Sequence, residues 1–533
     1  MFSKIFHFYQ KNRFLRVLSL FIIVLLPWLV AILILTSKAQ HEVIVSAEIN
    51  RPVHEETPVY HTKLESLHHD FKSPKEVTAT CLECHTERHR EIMKTAHWNW
   101  EKEDYRKGEG TVYYGKRTAL NNFCIGVQGS EESCTRCHIG YGYSDKNFDF
   151  TDQNAIDCLI CHDKTGTYKK AKGKSGYPAT GEAAPDYSYI AQNVGSPGKA
   201  NCGICHFWGG GGNNVKHGDM EKALLDCSRD VDVHMAKEGA NMECIECHQT
   251  LNHNITGRSY STTFTNTNRV TCEQCHEDQP HLDKLLNKHT QKISCQACHI
   301  PKYAKVNATK MTWDWSTSGL LDDEGHAMHE DDMMGNHCYL SIKGSFVWEK
   351  NVIPEYIWFN GTADHYLLGE QIEEVPLKMN TLNGDYSCPD SKIIPVKIHR
   401  GSQIYDTENN YLIQPKLYSA VKGEGAYWTD FEWDRAARIG MENAGIPYSG
   451  KFDFVKTEMS MQINHMVSPK EESVACIECH RRDDGRLENL SGFYMPGRDH
   501  HKWVDIAGVL MALFSIGGVV IHSLLRVIIG KKY

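Results

Sequence analysis

The chain has 533 residues, 58 Lys and Arg against 67 Asp and Glu, and a formal net charge of −9. This length accommodates several domains, and the lack of a basic excess argues against a nucleic-acid partner. Apolar residues make up 41% of the chain, less than in a typical globular protein. Something other than aliphatic side chains must therefore fill part of the interior.

The N-terminal segment 1–39 is predicted to be a signal anchor. Residues 17–36 are apolar, with Pro27 as the one breaker, and are long enough to cross a bilayer. Basic residues precede this run, so we expect the N-terminus to be cytoplasmic. A small-x-small cleavage site at 37–39 is the alternative, but the run is long for a cleaved signal. The polar segment 40–75 is predicted to be a periplasmic tether.

Sixteen of the 20 cysteines form one pattern, C-x-x-C-H, which occurs eight times. The cysteine pairs are Cys81 and Cys84, Cys134 and Cys137, Cys158 and Cys161, Cys202 and Cys205, Cys244 and Cys247, Cys272 and Cys275, Cys295 and Cys298, and Cys476 and Cys479. The histidines are His85, His138, His162, His206, His248, His276, His299 and His480. The pattern marks covalent c-type haem attachment. Cysteine pairs alone leave zinc or disulfides open, but eight adjacent histidines do not. We predict eight covalent haem c groups, with each motif histidine as an iron ligand.

Seven motifs lie within residues 81–299, which leaves about 31 residues for each haem. So little protein cannot enclose every macrocycle separately, so neighbouring haems must touch and form the core. Residues 76–300 are therefore predicted to be a heptahaem core of helices and loops. Haem is attached to cysteine outside the cytoplasmic membrane, which places this core in the periplasm.

Residues 301–460 contain no haem motif and are predicted to be a cap on the core. Runs at 356–359 and 393–398 favour short strands, and 428–442 has a helical pattern. Residues 461–500 form the segment of the eighth haem. The predicted fold class is mainly α, a multihaem cytochrome c fold with few short strands and a transmembrane helix at each end.

The C-terminal segment 501–533 is predicted to be a second membrane helix. Its apolar run spans 504–530, and the basic residues at its far end place that end in the cytoplasm. Both termini then lie inside and the haem domain lies outside. His522 lies within the run, either near the inner interface or as a haem b ligand or a contact to a quinone-linked partner; we favour the first.

Four cysteines lie outside the haem motifs, namely Cys124, Cys227, Cys338 and Cys388. They can form disulfides in the periplasm, stay buried as small apolar residues, or serve chemistry. Their pairing cannot be derived from the sequence. Burial or disulfide bonding is the expected outcome.

Several short segments resemble the octahaem tetrathionate reductase family. They are NNFCI at 121–125, KHT at 288–290, GME at 440–442, IPYSG at 446–450 and NHMVSP at 464–469. The resemblance covers roughly residues 65–485, with the same haem count, the same motif order and the same long gap before the last motif. It implies a mostly helical multihaem fold and one catalytic haem with a lysine as its far-side ligand. It also implies reduction of tetrathionate, nitrite and hydroxylamine.

Each haem iron needs a second axial ligand unless it binds substrate. The predicted far-side ligands are His69, His97, His217, His234, His253, His289 and His465, with His89, His281, His365 and His399 in reserve. For each of them, a surface or hydrogen-bonding histidine is the alternative. The density of haem motifs favours ligation for the set as a whole.

Lys116 is the candidate for the lysine that the resemblance implies, since it precedes the NNFC segment and the second motif. A lysine that binds iron must be deprotonated, and burial against a macrocycle lowers its pKa. The alternative is an ordinary solvated lysine. His399 and Arg400 of the cap are further candidate catalytic residues, because cationic groups near the open haem attract anions.

The leading functional hypothesis is a membrane-anchored periplasmic reductase of tetrathionate, nitrite or hydroxylamine in anaerobic respiration. The alternatives are an electron conduit whose haems all have two histidine ligands, and an enzyme that oxidises hydroxylamine. The expected partners are a small anionic substrate and an inner-membrane donor, either quinone-linked or a cytochrome b.

Overall fold

The computed structural model describes residues 60–106, 108–257 and 264–530. The predicted N-terminal span at 17–36 and most of the predicted tether lie outside these residues. Leu67 and Phe71 are both buried, so the chain packs on the protein from Leu67 onward. The prediction of a tether was therefore wrong for residues 67–75, because this apolar pair anchors the segment to the core.

Short helices, most of one or two turns, make up the haem-motif region. The helices are α1 Pro74–Cys84, α2 Arg88–Ile92, α3 Ala96–Asn99, α4 Glu131–Cys134, α5 Leu159–His162, α6 Tyr187–Gln192, α7 Lys199–His206, α8 Cys244–Cys247, α9 Lys284–His289, α10 Cys295–His299, α11 Tyr427–Asp430, α12 Trp433–Ala444, α13 Cys476–Cys479 and α14 Lys502–Gly530. Single 3₁₀ turns lie at His61–Lys63, Glu65–Leu67, Thr135–Cys137, Gln153–Ala155, Gly181–Ala183, Lys222–Leu225, Cys272–Gln274, Trp315–Thr317 and Lys470–Glu472. Such short turns position motif residues without building an aliphatic core of their own.

The strands concentrate in the cap. They are β1 Lys102–Arg106, β2 Gly110–Tyr114, β3 Thr250–Leu251, β4 Asn254–Ile255, β5 Thr309–Asp314, β6 His329–Asp331, β7 His337–Leu340, β8 Gly344–Glu349, β9 Glu355–Phe359, β10 Ala363–His365, β11 Leu377–Lys378, β12 Asn380–Leu382, β13 Lys392–Asp406, β14 Tyr411–Leu412 and β15 Phe452–Gln462. Nine of them join one sheet in the order β11-β15-β13-β5-β8-β7-β6, with β9 and β14 also paired to β13.

The sheet is larger than the sequence predicted. β13 runs for 15 residues and pairs antiparallel with β15 over the register Val396↔Gln462 to Asp406↔Phe452. The expectation of a mainly α protein with few short strands was wrong in this respect. Residues 393–397 and 402–404 of β13 are buried on both faces, so these parts lack the alternation of apolar and polar residues that marks a strand in sequence.

One face of the sheet packs against α12. Trp313 and Trp315 are fully buried there, with Tyr427 and Met441 in the same apolar cluster. This cluster is an ordinary aliphatic and aromatic core. The cap therefore has its own hydrophobic core and packs beside the haem motifs.

α14 is the one helix, among the described residues, that is long and apolar enough to cross a membrane. Its span Lys502–Ile528 has a mean hydropathy of 2.3, and none of it is buried against the rest of the protein. A core helix of a soluble protein would be covered by its neighbours. A bare apolar helix of this length is typical of a membrane anchor.

Candidate haem sites and active site

The C-x-x-C-H motifs form tight turns that bring the two thiols to the same side. In five of them the histidine N–H donates to the carbonyl of the first cysteine at 2.8–3.2 Å. These are the motifs of His85, His162, His248, His276 and His480. At the second motif, the N–H of His138 donates instead to Thr135 O at 2.9 Å. The backbone of His138 is extended, with φ −76° and ψ 140°, so its side chain leaves the turn in another direction.

Seven motif histidines lie opposite a second histidine. The pairs, with the distance between ring centres, are His85 and His61 at 6.3 Å, His162 and His253 at 6.4 Å, His206 and His97 at 6.1 Å, His248 and His465 at 6.5 Å, His276 and His234 at 6.2 Å, His299 and His281 at 6.2 Å, and His480 and His289 at 6.2 Å. Imidazole nitrogens bind first-row metals at about 2 Å, so two imidazoles on opposite sides of one ion have centres about 6 Å apart. The seven pairs fit the two axial positions of a haem iron.

Hydrogen bonds to the outer ring nitrogen orient several of these imidazoles. Nδ1 of His162, His248 and His480 lies 3.0, 2.9 and 2.7 Å from a backbone carbonyl. A carbonyl oxygen only accepts, so Nδ1 carries the proton and Nε2 is left free to bind a metal. Glu91 and Asp219 contact Nδ1 of two of their partners, at 2.8 and 3.1 Å. Such outer contacts are typical of metal-binding histidines.

One continuous cavity of about 2640 Å³ connects the first seven motifs. It far exceeds the roughly 300–1,000 Å³ of a site for one small ligand and has room for several macrocycles side by side. The motif histidines in its wall are His85, His162, His206, His248, His276 and His299. Cys134 and Cys137 also line the cavity, whereas His138 is not among the lining residues.

His138 is enclosed by aromatic side chains instead. Its ring centre lies 5.2–5.5 Å from those of Trp98, Trp100, Tyr143 and Phe148. Burial lowers the pKa of His138 to about 3, so the ring is neutral at pH 7. Its Nε2 lies 2.5 Å from Trp98 O, which can only accept, so Nε2 carries the proton. The prediction that His138 binds iron is therefore corrected, because the nitrogen that faces the metal elsewhere is engaged here by a carbonyl.

A buried ion pair fixes the backbone at His138. Lys170 Nζ donates to His138 O at 2.5 Å and lies 3.0 Å from the carboxylate of Asp157. Both charged side chains are at most 1% exposed. Tyr141 and Tyr168 also donate to Asp157, at 2.8 and 3.1 Å. With all its partners present, this network holds the second motif in its distinctive conformation.

Lys116 stands beside the second motif. It follows β2 by two residues and lines the cavity. Its Nζ lies 4.1 Å from the centre of the Trp100 ring, which also contacts the ring of His138. The charge of Lys116 acts on the thiols of Cys134 and Cys137. An amine is thus available where the other motifs present an imidazole.

Basic groups and a thiol occupy the cavity wall near the same motif. An added Cβ at Gly211 would lie 3.8 Å from Cys124 Sγ and 3.7 Å from Lys343 Nζ. Lys343 Nζ also lies 5.2 Å from the centre of the Trp428 ring. Burial and the charge of Lys116 lower the pKa of the neighbouring Lys216 to about 8, so it stays mainly protonated at pH 7. The local charge therefore favours anions.

The structure brings five of the seven predicted far-side ligands opposite a motif histidine. They are His97, His234, His253, His289 and His465, and the reserve candidate His281 joins them. The remaining two predicted ligands lie elsewhere. His69 packs on Phe71 and lies 3.5 Å from Glu76, and His217 is half-buried in the cavity wall next to Lys216. Neither faces a motif histidine among the ring contacts of the described residues.

The sequence reasoning missed His61, which faces His85. It lies in the segment taken as a tether, 20 residues before Cys81. Two adjacent histidines, His68 and His69, looked like better ligand candidates in the sequence. In the structure, His68 contacts a backbone carbonyl and His69 contacts a carboxylate. A buried Leu67 close by was the available hint that this segment belongs to the core.

His399 and Arg400 lie on opposite faces of β13. His399 is fully buried behind Phe123, with ring centres 4.4 Å apart, and does not line the cavity. Arg400 forms ion pairs with Glu355 at 3.0 Å and Glu458 at 3.2 Å on the outer surface. Adjacent residues of a strand point to opposite faces, so the two cannot act together. The prediction that both contribute to catalysis was wrong for this geometric reason.

The four cysteines outside the motifs are all unpaired. Cys227 is buried, and Cys124, Cys338 and Cys388 are partly buried. Burial was one of the two expected outcomes, whereas disulfide bonding does not occur. Cys124 alone of the four lines the cavity.

Comparison with known proteins places these features in context. A family model described as "Cytochrome c bacterial" matches residues 310–483. The crystal structure of octaheme cytochrome c from Shewanella oneidensis is 44% identical, with a TM-score of 0.73, and the match covers 80% of this chain and 94% of that chain. An uncharacterised protein of Archaeoglobus fulgidus is 23% identical over 236 residues, 35% of this chain and 77% of that protein. The prediction of covalent haem c is confirmed, as is the multihaem cytochrome c fold.

Proposed function

We propose a reductase function for this chain, which belongs to the octahaem tetrathionate reductase family of multihaem c-type cytochromes. The substrates would be tetrathionate, nitrite or hydroxylamine, bound at the second motif. One observation carries the proposal. Seven motif histidines face a second imidazole at 6.1–6.5 Å, whereas His138 has its Nε2 engaged by Trp98 O. One iron per chain thus lacks the pair of histidines that would close it to substrate.

Lys116 supplies the missing axial ligand in this proposal. Both Lys116 and His138 contact Trp100, so the lysine approaches from the side of the motif histidine. The earlier expectation of a far-side lysine is replaced by this near-side position. The opposite face then stays free for a substrate.

Haem bound at Cys134 and Cys137 supplies an electron-accepting and electron-donating metal with one exchangeable position. The side chains supply the rest. Lys343 and Lys216 attract an anion into the cavity and hold it there. Trp428 holds Lys343 in place by a cation–π contact. The Lys170–Asp157 pair keeps the His138 carbonyl, and with it the whole motif, from relaxing towards the usual conformation.

We further propose that α14 anchors the protein in the cytoplasmic membrane, with the haem domain in the periplasm. The bare apolar surface of α14 supports this placement. The predicted N-terminal anchor lies outside the described residues and remains a prediction.

Turnover by the purified full-length holoprotein tests the function. Reduced methyl viologen serves as donor, with tetrathionate, nitrite and hydroxylamine as separate acceptors. The wild type should oxidise the donor with at least one acceptor, and a Lys116→Leu variant should be much slower because it removes the proposed near-side ligand. If no acceptor supports turnover and nitrite and cyanide leave the spectrum unchanged, the protein is a conduit and the proposal fails.

A further inference from the structure

The eighth haem site is tied directly to the segment that leads into α14. His480 Nδ1 lies 2.7 Å from Pro496 O. Gly497 follows with a positive φ of 89°, and a Cβ there would meet His480 O at 2.5 Å, so only glycine allows this approach. α14 begins six residues after Pro496, at Lys502. Six residues span at most about 20 Å even when fully extended.

This connection is braced rather than loose. The guanidinium of Arg498 donates to the carbonyls of Leu487, Leu490 and Phe493 at 2.6–3.0 Å. It also forms an ion pair with Asp499 at 2.8 Å. The side chain of Arg498 is nearly buried, so these charge-assisted hydrogen bonds stabilise the turn that precedes α14. The eighth site is therefore held at the end of the protein from which the membrane helix leaves.

Hydrogen bonds and electrostatic interactions between motif thiols indicate which motifs are neighbours in space. The interacting pairs are Cys137 with Cys205, Cys202 with Cys244, Cys247 with Cys275, Cys272 with Cys295, and Cys298 with Cys479. They connect the second, fourth, fifth, sixth, seventh and eighth motifs in a row. Cys161 with Cys202, and Cys81 with Cys158, attach the third and first motifs as a side branch.

The candidate active site and the eighth site are thus the two ends of a row of six motifs. The eighth pair, His289 and His480, also lies outside the cavity shared by the other motifs, at the surface. Cys476 and the adjacent Ile477 are exposed. Cys84 and His85 of the first motif are exposed as well, but the eighth motif is the one whose exposed end is tied to the segment that leads into α14.

We propose that the His289–His480 site is where the protein takes up electrons from a quinol-oxidising protein held in the membrane. The quinol loses two electrons and two protons and becomes a quinone, and two ferric irons of this chain each gain one electron. The inward direction of flow rests on the proposed reductase function. Among the described residues, α14 is the one helix that could span the membrane, and it packs against no neighbour that could enclose a quinol. The quinol is therefore oxidised by a separate protein.

A rigid insertion tests the proposal without touching any haem ligand. Three EAAAK repeats placed between His501 and Lys502 would lengthen the helix by about 22 Å and lift the eighth site off the membrane. Native membranes that contain the full-length holoprotein are reduced with duroquinol, and the absorbance of reduced haem c is followed with no acceptor present. Reduction should slow at least about tenfold, while dithionite still reduces all the haem. The same insertion after Asp323, in an exposed turn, should leave the rate unchanged.

A pair of ligand variants gives a second test if the insertion impairs maturation. His289→Met should raise the potential of the eighth site, so electrons must then move uphill from it. His61→Met makes the same change at the first motif, on the side branch. Duroquinol should reduce His289→Met membranes about tenfold more slowly than His61→Met membranes. Potentiometric titration checks that each variant has one haem with a raised potential.

An insertion variant reduced at the wild-type rate would overturn the proposal, as would a wild type that duroquinol in membranes does not reduce. Equal rates for the two methionine variants would also overturn it. The readout needs no acceptor, so its failure is separate from failure of the proposed function. Rapid reduction with no turnover of any acceptor would refute the reductase function and leave the entry site standing.

Discussion

The seven motifs with paired histidines and the second motif share the C-x-x-C-H signature, but they place their histidines differently. At His248, for example, the backbone N–H donates to the carbonyl of the first cysteine, and Nδ1 lies next to a backbone carbonyl. The ring centre of His465 lies 6.5 Å from that of His248. At His138 the turn closes on Thr135, and a carbonyl engages Nε2 instead. Which ring nitrogen meets a carbonyl decides whether an imidazole can serve as a metal ligand.

The comparison teaches that attachment and ligation are separable. The thiols of Cys134 and Cys137 still line the cavity, so haem can be attached there as elsewhere. We propose that its axial position is taken by Lys116, a weaker and more easily displaced ligand than imidazole. Seven sites that are closed by two imidazoles and one that is not make a division of labour between electron storage and chemistry. The predictions below aim at that division.

Removing the buried charge behind His138 should have the largest effect. Lys170→Met leaves the carboxylate of Asp157 buried without its counter-charge, which typically costs about 3–5 kcal/mol. We expect the free energy of unfolding of the holoprotein to fall by that order, measured by denaturant titration. The double variant Lys170→Met/Asp157→Asn should recover part of the loss, because it removes the unpaired charge. Equal losses in the single and double variants would contradict the account.

Replacing Lys116 should have the next largest effect. Lys116→Leu removes a direct ligand, and loss of even an outer partner of a metal ligand costs about 10–100-fold in activity. We therefore expect viologen-linked turnover to fall at least about 100-fold, with a larger high-spin signal at one haem and eight haems still attached. Lys422→Leu, an exposed lysine of the cap, is the matched control. An unchanged spin state and unchanged kinetics for Lys116→Leu would make it an ordinary surface lysine.

Lys343 should affect capture of the substrate more than the chemical step. Lys343→Met keeps the length of the side chain but removes a positive charge from the cavity wall. We expect KM for tetrathionate or nitrite to rise about tenfold with little change in kcat, since a charge felt equally by bound substrate and transition state acts on binding. The rise should shrink at high salt. The exposed Lys350→Met variant should show no such rise in KM. The KM of Lys343→Met for hydroxylamine should also stay unchanged, because hydroxylamine is uncharged at neutral pH.

A change far from both kinds of haem site should have the smallest effect. Burial alone would raise the pKa of Asp406, but hydrogen bonds from Asn409 and Ser449 outweigh it and lower the pKa. A lowered folded pKa contributes stability above the unfolded pKa of about 3.9, and this contribution is lost as pH falls further. Asp406→Asn should cost about 1–2 kcal/mol at pH 7 and less below about pH 4. Denaturation curves at both pH values measure this, and a cost that grows on acidification would contradict the sign.

Haem attachment could be predicted fully from the sequence, because each cysteine pair and its adjacent histidine encode it locally. The ligand pairs could be predicted in part, since their partners come from distant segments. His253 pairs with His162 across 91 residues, and nothing in the local sequence of either distinguishes a ligand from a surface histidine. His61 was missed because no aliphatic pattern marks a segment whose core is a macrocycle. The exception at His138 depends on a backbone carbonyl, which carries no sequence signature.

The strands and helices of the cap could also be predicted only in part from the sequence. The strand at Glu355–Phe359 and the helix at Trp433–Ala444 lie where their patterns predicted them. β13 was predicted only at 393–398, yet it continues to Asp406 because β15 and β5 pair with its second half. Arg400 attracted attention as a cation beside His399, but a two-residue period places it outside. The length of a paired strand and the face on which a side chain lies depend on tertiary contacts that a single sequence does not reveal.

Spin-quantified electron paramagnetic resonance of the oxidised full-length protein, titrated with cyanide, tests the central claim most directly. One iron per eight should change its signal with cyanide, and the high-spin signal of that same iron should grow in Lys116→Leu. The other seven irons should keep their low-spin signals throughout. A protein in which no iron responds would contradict the account, because the second motif would then be closed like the rest.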